Sequence, residues 1–359
     1  MKVVSICSAR PNFVKLAAVH HALAANAPEV EHCIVHTGQH YDPLFSDIFF
    51  QQLTIPHPAH NLGIHGMDRE EMIARTEQAF AALLPFLQPD IVLVYGDVNG
   101  AVGAARATHK AGIRLAHIEA GLRSFDASMP EEWNRIAIDE LADHLFCTEE
   151  AALKNLQTEE ASGQVHLVGN TMIDTLLRML PLVEAEPNPV SFGQQYAVVT
   201  LHRPSNVDTD EALRQNMAFL GELSQSMPLI LPAHHRLASA LERSGLLNSL
   251  PSSITLLPPL AYVPFLRLVK DATFILTDSG GIQEEAVILG KRCFTLRRNT
   301  ERPSTIQSGS NVLIDPEQEA SRKLVLDYAT QPAEPQIAIP MHWDGRAGER
   351  IVRVLSGAL

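Results

Sequence analysis

Along the whole chain, short continuous apolar runs rich in β-branched residues alternate with longer helical patterns. The runs begin with KVVSIC (2–7), EHCIVHTG (31–38), DIVLVYGD (90–97), RLAHIEA (114–120), HLFCT (144–148) and VHLVGN (165–170). Strands that are apolar throughout belong in a parallel sheet with helices on both faces. After EAEPNPVSFGQQ (184–195), a polar, Pro-containing stretch that reads as a linker, the rhythm restarts. It continues through YAVVTLH (196–202), PLILPAH (228–234), ITLLPPL (254–260), FILTD (274–278), RCFTLR (292–297) and NVLID (311–315). A chain of 359 residues is also longer than one hydrophobic core usually supports. The fold expected is α/β, two doubly wound Rossmann-like domains facing across a cleft. Residues 1–170 form the first domain, 171–340 the second, and the helical segment 341–359 packs back on the first.

The unusual polar clusters fall at strand ends. CSARPNFVK, HTGQHYD, YGDVNG and HIEAGLRSFDASMPEEWNR follow strands of the first half, and TLHRPSNVD, PAHHR and TDSGG those of the second. Ligands of such sheets bind beyond the carboxyl ends of the strands, so this coincidence points to one shared site. A formal charge of −13 argues against a nucleic-acid surface, which needs a basic face. The N-terminal apolar run is too brief for a signal peptide or membrane span, and the expected location is the cytoplasm. The four cysteines form no CxxC pair and read as buried free thiols. Histidine spacing gives no metal motif, and G-x-G-x-x-G and P-loop patterns are absent, so neither a metal nor a dinucleotide cofactor is indicated.

At TDSGG, Ser279, Gly280 and Gly281 precede a helix expected from about Ile282, with free amides suited to an anion. Glu285, one turn further, can reach a ribose hydroxyl pair. Arg10, His202 and Arg203 sit in turns after strands, where a pyrophosphate would accept them; Lys15 suits the surface equally well. Asp97 and Glu119 end strands, where a desolvated carboxylate without a task is costly. Glu131 and Glu132 open a helix, a place where glutamates commonly just complement the dipole.

ARPNFVK, HTGQHYD, YGDVN, HIEAGLRSFDASMPEEWNR, VGNTMIDTL, TLHRPSN, LTDSGGIQEEAVILGK and TLRRNTERPSTIQSGSN, in this order, resemble the bacterial non-hydrolysing UDP-N-acetylglucosamine 2-epimerases. The resemblance implies the glycosyltransferase B type of fold and interconversion of UDP-GlcNAc and UDP-ManNAc through elimination of UDP. It implies Ser279 and Gly280 on the diphosphate, Glu285 on the ribose, His202 and Arg10 on the phosphates, and the backbone near Phe265 by the uracil. Lys15, Asp97, Glu119 and Glu131 match catalytic positions, with Arg135 nearby. Gln39 and His40 match a loop that binds a second UDP-sugar as activator, and the resemblance implies a homodimer. Ser8, Gly100, His235 and Ser310 depart from the family pattern without removing a catalytic acid. A hydrolysing epimerase, a glycosyltransferase of the same fold and a non-catalytic UDP-sugar-binding regulator are the competing readings.

Overall fold

The computed structural model describes residues 1–38, 49–190 and 195–357. The chain divides into two compact units, Met1–Met179 with Pro340–Leu359, and Leu180–Ile339. In the first unit, β1 (Lys2–Cys7), β2 (Glu31–His36), β3 (His60–Asn61), β4 (Ile91–Tyr95), β5 (Arg114–Ala120), β6 (His144–Cys147) and β7 (Gln164–Leu167) form one sheet. Its spatial order is β3-β2-β1-β4-β5-β6-β7, and every pairing is parallel. One face of its central strands, including Val4, Ile6, Val92 and Val94, closes over Ala101, Ala104 and Ala105 of the helix Asn99–Lys110 and Phe80 of the helix Arg69–Leu87. The helix Arg10–Asn26 buries Phe13, Leu16 and Val19 and packs against the terminal helix Ala347–Gly357. The amides of Ala347 and Gly348 donate to the Asp174 carboxylate at 3.0 and 2.7 Å, which caps that helix.

The second unit repeats the plan with β8 (Ala197–Thr200), β9 (Leu229–Pro232), β10 (Ile254–Leu257), β11 (Phe274–Thr277), β12 (Arg292–Thr295) and β13 (Asn311–Leu313), ordered β10-β9-β8-β11-β12-β13 and again parallel. Its core stacks Phe274 edge-on against Phe294 and Tyr328, with centroids 5.6 and 5.7 Å apart. The expected alternation of apolar strands and helices therefore produces two doubly wound sheets.

Strand order reverses once in each sheet, between β1 and β4 and between β8 and β11. At such a point the two following chains diverge to opposite faces and leave a crevice beyond the strand ends. The turn after β1 leads into Arg10 and the turn after β4 carries Asp97; His202 follows β8 and Ser279 follows β11. The polar clusters after β1, β4, β8 and β11 therefore stand at the two positions where this topology opens, and those after β5 and β9 follow neighbouring strands. Among the described residues no helix is long and apolar enough to cross a membrane. Cys7, Cys147 and Cys293 are buried, Cys33 is half-buried, and all four are free thiols.

Candidate active site

In the first unit, Asn12 ties the turn after β1 to β4. Its side-chain oxygen accepts from the amides of Ser8 and Ala9, each at 3.0 Å, and its nitrogen donates to the Tyr95 carbonyl at 2.8 Å. This fixes the start of the helix Arg10–Asn26, which carries Arg10 and Lys15. Arg10 is half-buried, its guanidinium carbon 6.0 Å from the Phe49 ring centroid. Lys15 is buried, and its ammonium lies 2.6 Å from Glu119 Oε2, so the surface alternative for Lys15 is excluded.

Glu119 is held in a left-handed conformation, φ 76°, at a β-bulge where the β5–β6 register slips between Ile118 and Ala120. A bulge re-aims one side chain, and a non-glycine residue in this region stores strain of about 1–3 kcal/mol. The neighbouring turn needs Gly96, φ 64°, because a Cβ there would stand 2.8 Å from the Lys15 ammonium. Asp97, next along, pairs with Arg135, whose other terminal nitrogen lies 2.5 Å from Glu132 Oε2. Glu131 occupies the first turn of the helix Pro130–Asp139 and is exposed.

Glu132 is not the solvated dipole complement that its position suggests. It is buried and accepts from the amides of Ser124 and Phe125, both at 2.9 Å, and from the Ser124 hydroxyl at 2.8 Å. Burial raises its pKa, but Arg135 and Ser124 outweigh this and leave the carboxyl below its ordinary range. A Cβ at Gly100 would lie 2.4 Å from Ser8 Oγ and 2.7 Å from Thr37 Oγ1, so the helix Asn99–Lys110 starts close against both side chains.

In the second unit, the organising group is Asp278, which is fully buried after β11. It accepts from the amides of His202 at 2.9 Å and Arg203 at 2.8 Å, from Asn206 Nδ2 at 3.0 Å, and pairs with His202 Nδ1 at 2.8 Å. Burial alone would raise its pKa; the donors, His202 foremost, bring it down to about 2. His202 is thereby oriented, with the His234 ring 5.6 Å away. The helix after Ser279 begins at Gly280, two residues earlier than expected, so Gly280 and Gly281 supply the first amides of the helix Gly280–Ile288. Ser279, Gly280 and Gly281 are half-buried.

Glu285 is buried; burial and the adjacent Glu284 push its pKa up to about 7 against the opposing bond from the Tyr262 hydroxyl at 3.0 Å. Phe265 lies in the helix Tyr262–Asp271, its amide donating to the Ala261 carbonyl at 3.0 Å. Gln39 and His40 lie outside the described residues.

Sequence reasoning assigned no role to Asp278, Arg297, Glu301 or Arg302. Arg297 pairs with Glu301 at 2.6 Å, and Arg302 bridges Glu301 and Glu284, the latter at 3.0 Å. Its guanidinium stands 2.6 Å from where a Cβ on Gly280 would be, so the glycine admits it beside the helix start. The signal for these residues was the TERP stretch, whose charges lie next to the TDSGG turn only after folding.

Two doubly wound units with polar clusters at their switch points define the glycosyltransferase B class of fold. Within that class the chain belongs to the UDP-N-acetylglucosamine 2-epimerase family, whose model matches residues 22–356. It is 37% identical to the UDP-N-acetylglucosamine 2-epimerase of Methanocaldococcus jannaschii over 376 residues, covering 99% of each chain. It is 35% identical to the UDP-2,3-diacetamido-2,3-dideoxy-D-glucuronate 2-epimerase of Pseudomonas aeruginosa, again over 99% of each. A crystal structure of the M. jannaschii UDP-GlcNAc 2-epimerase in complex with UDP-GlcNAc and UDP superposes with a TM-score of 0.92 at 35% identity, covering 99% of this chain and 100% of that one.

Proposed function

We propose that this protein inverts C2 of UDP-N-acetylglucosamine to give UDP-N-acetylmannosamine, reversibly and without net hydrolysis. The observation that carries the reading is the pair of carboxylates at adjacent strand ends, Asp97 and Glu119, each matched to one buried cation. The C2 hydrogen has no adjacent carbonyl to acidify it. Breaking the C1–O bond supplies the driving force: UDP leaves with the bonding pair, positive charge develops on the ring, and a carboxylate takes the C2 proton as the C1–C2 double bond forms. A proton delivered to the opposite face and return of the UDP oxygen to C1 complete the inversion.

Asp97, Glu119 and Glu131 are the acids and bases of this scheme, each contributing about 10² to 10⁴ in rate. Lys15, paired with Glu119 at 2.6 Å, holds that carboxylate in place. The first amides of the helix Gly280–Ile288, with His202 and Arg10, stabilise the charge on the departing diphosphate. Glu285 holds the ribose, and the backbone near Phe265 meets the uracil. Gln39 and His40 bind a second UDP-sugar as activator, and the working form is a cytoplasmic homodimer.

Incubation with UDP-GlcNAc in D₂O, followed by NMR, tests the reaction: deuterium at C2 of both nucleotide-linked epimers is expected. Free N-acetylmannosamine with UDP would assign a hydrolysing enzyme instead, and turnover only of a 2,3-diacetamido uronate would assign the reaction of the Pseudomonas relative.

A further inference from the structure

The turn after β4 is gripped at three consecutive groups. The Gly96 carbonyl faces His117 Nε2 at 2.9 Å, the Asp97 carbonyl accepts from Asn134 Nδ2 at 2.7 Å, and the Asp97 carboxylate pairs with Arg135. Each holder is itself oriented by another side chain. His117 Nδ1 lies 2.6 Å from Asp139 Oδ1, Asn134 Oδ1 accepts from Arg69 at 2.7 Å, and Arg135 meets Glu132 at 2.5 Å. Asp139 is further fixed by Arg123 at 2.8 Å and by the Gly121 amide at 3.1 Å. Glu132, Asn134, Arg135 and Asp139 all come from one helix, Pro130–Asp139, and all four are buried. A helix that buries four polar side chains gains little from the hydrophobic effect at those positions, and desolvating them is costly unless every partner is in place.

We infer that Glu132 is a positioning residue, which sets the Asp97 carboxylate by steering the Arg135 fork, while Asn134 and Asp139 set the backbone of the same turn. The inference rests on the proposed reaction. Glu132 does not itself exchange protons with the sugar, because its oxygens already take two amides, a hydroxyl and the guanidinium. Its effect is geometric. The planar guanidinium cannot rotate away from Glu132 without withdrawing from Asp97, so one anchor fixes two angles. A reacting group displaced by about 1 Å loses on the order of a hundredfold in rate.

The test is a double-mutant cycle on purified enzyme. Glu132→Gln keeps an acceptor for the Ser124 and Phe125 amides but is expected to turn an NH₂ toward Arg135. Its kcat should fall about ten- to a hundredfold, with KM and UDP affinity within about twofold of the parent. In an Asp97→Asn background the same change should cost nothing further, since the group it serves is already lost. Arg135→Lys, which retains charge but loses the fork, provides a second variant with the same expectation should Glu132→Gln be recovered unfolded.

Losses that multiply with Asp97→Asn, or UDP affinity falling in step with kcat, would show a merely structural role and overturn the inference. An active parent beside a Glu132→Gln enzyme of equal turnover overturns it alone. A parent that leaves UDP-GlcNAc untouched overturns the reaction and this inference together.

Discussion

The two switch points use opposite devices. In the first unit the buried cations Lys15 and Arg135 are engaged by acids, Glu119 on one side and Asp97 with Glu132 on the other, so side-chain charge is compensated locally and geometry is fixed in advance. In the second unit the buried acid Asp278 is turned inward, gathering the amides after β8 and orienting His202, while the helix Gly280–Ile288 presents its first amides. Side chains that titrate suit proton transfer, because they can change charge during a reaction. Backbone amides and a helix end cannot, and they suit an anion whose charge must be held whatever the proton does. Under the proposed reaction, the contrast suits the first unit to proton transfer and the second, aided by Arg10, to holding the diphosphate.

That division breaks most readily at the acids. Asp97→Asn and Glu119→Gln should each cut turnover at least about a hundredfold while calorimetric UDP affinity changes less than about twofold. Near-normal turnover in both would remove the catalytic assignment, and loss of UDP binding would blur the two roles. The converse change is Ser279→Ala combined with Glu285→Ala, expected to weaken UDP binding about tenfold or more, roughly 1.4 kcal/mol. Unchanged affinity would take the grip away from this helix.

Gly96→Ala probes how tightly the first unit is built. A side chain at positive φ and 2.8 Å from the Lys15 ammonium should lower stability by about 1–2 kcal/mol and reduce kcat, leaving UDP affinity intact. A variant with the melting temperature and kcat of the parent would show that this corner is loose.

The smallest effect concerns Glu285, whose pKa is pushed up to about 7 by burial. As pH rises the unfolded chain ionises this group first, near 4.3, so native stability is lost between roughly 4.3 and 7 and the cost persists above that window. Glu285→Gln, which can keep the Tyr262 bond, should therefore raise the melting temperature of the unliganded protein by about 2–4 °C at pH 8 and leave it unchanged at pH 4. A gain at both values, or none at pH 8, would detach the effect from ionisation.

The sheets were legible because a strand covered on both faces must be apolar at every position, as in IVLVY of β4 and FILT of β11. The edge strand β3, only His60 and Asn61, carries no such pattern and was missed. The strand-end placement of Asp97, Glu119 and Ser279 was legible because polar residues interrupt apolar runs there. Glu132 was misread, since a first-turn glutamate looks the same whether it faces solvent or, as here, receives the Ser124–Phe125 loop. Asp278 escaped notice beside the more conspicuous SGG turn. The partners that give these acids meaning are distant in sequence: Lys15 and Glu119 meet only through the pairing of β1 with β4 and β4 with β5.

Glu119 combines an unfavourable backbone angle with a charge enclosed among packed atoms, two conditions that folding by itself would discard. Replacing Lys15 and Glu119 together by apolar residues of matching volume would remove the enclosed ion pair though not the backbone angle, and should yield a protein at least as sturdy that no longer turns over substrate. Directed selection for heat resistance alone would drift toward that dead end, so any thermostable variant recovered that way should be sequenced first at positions 15 and 119.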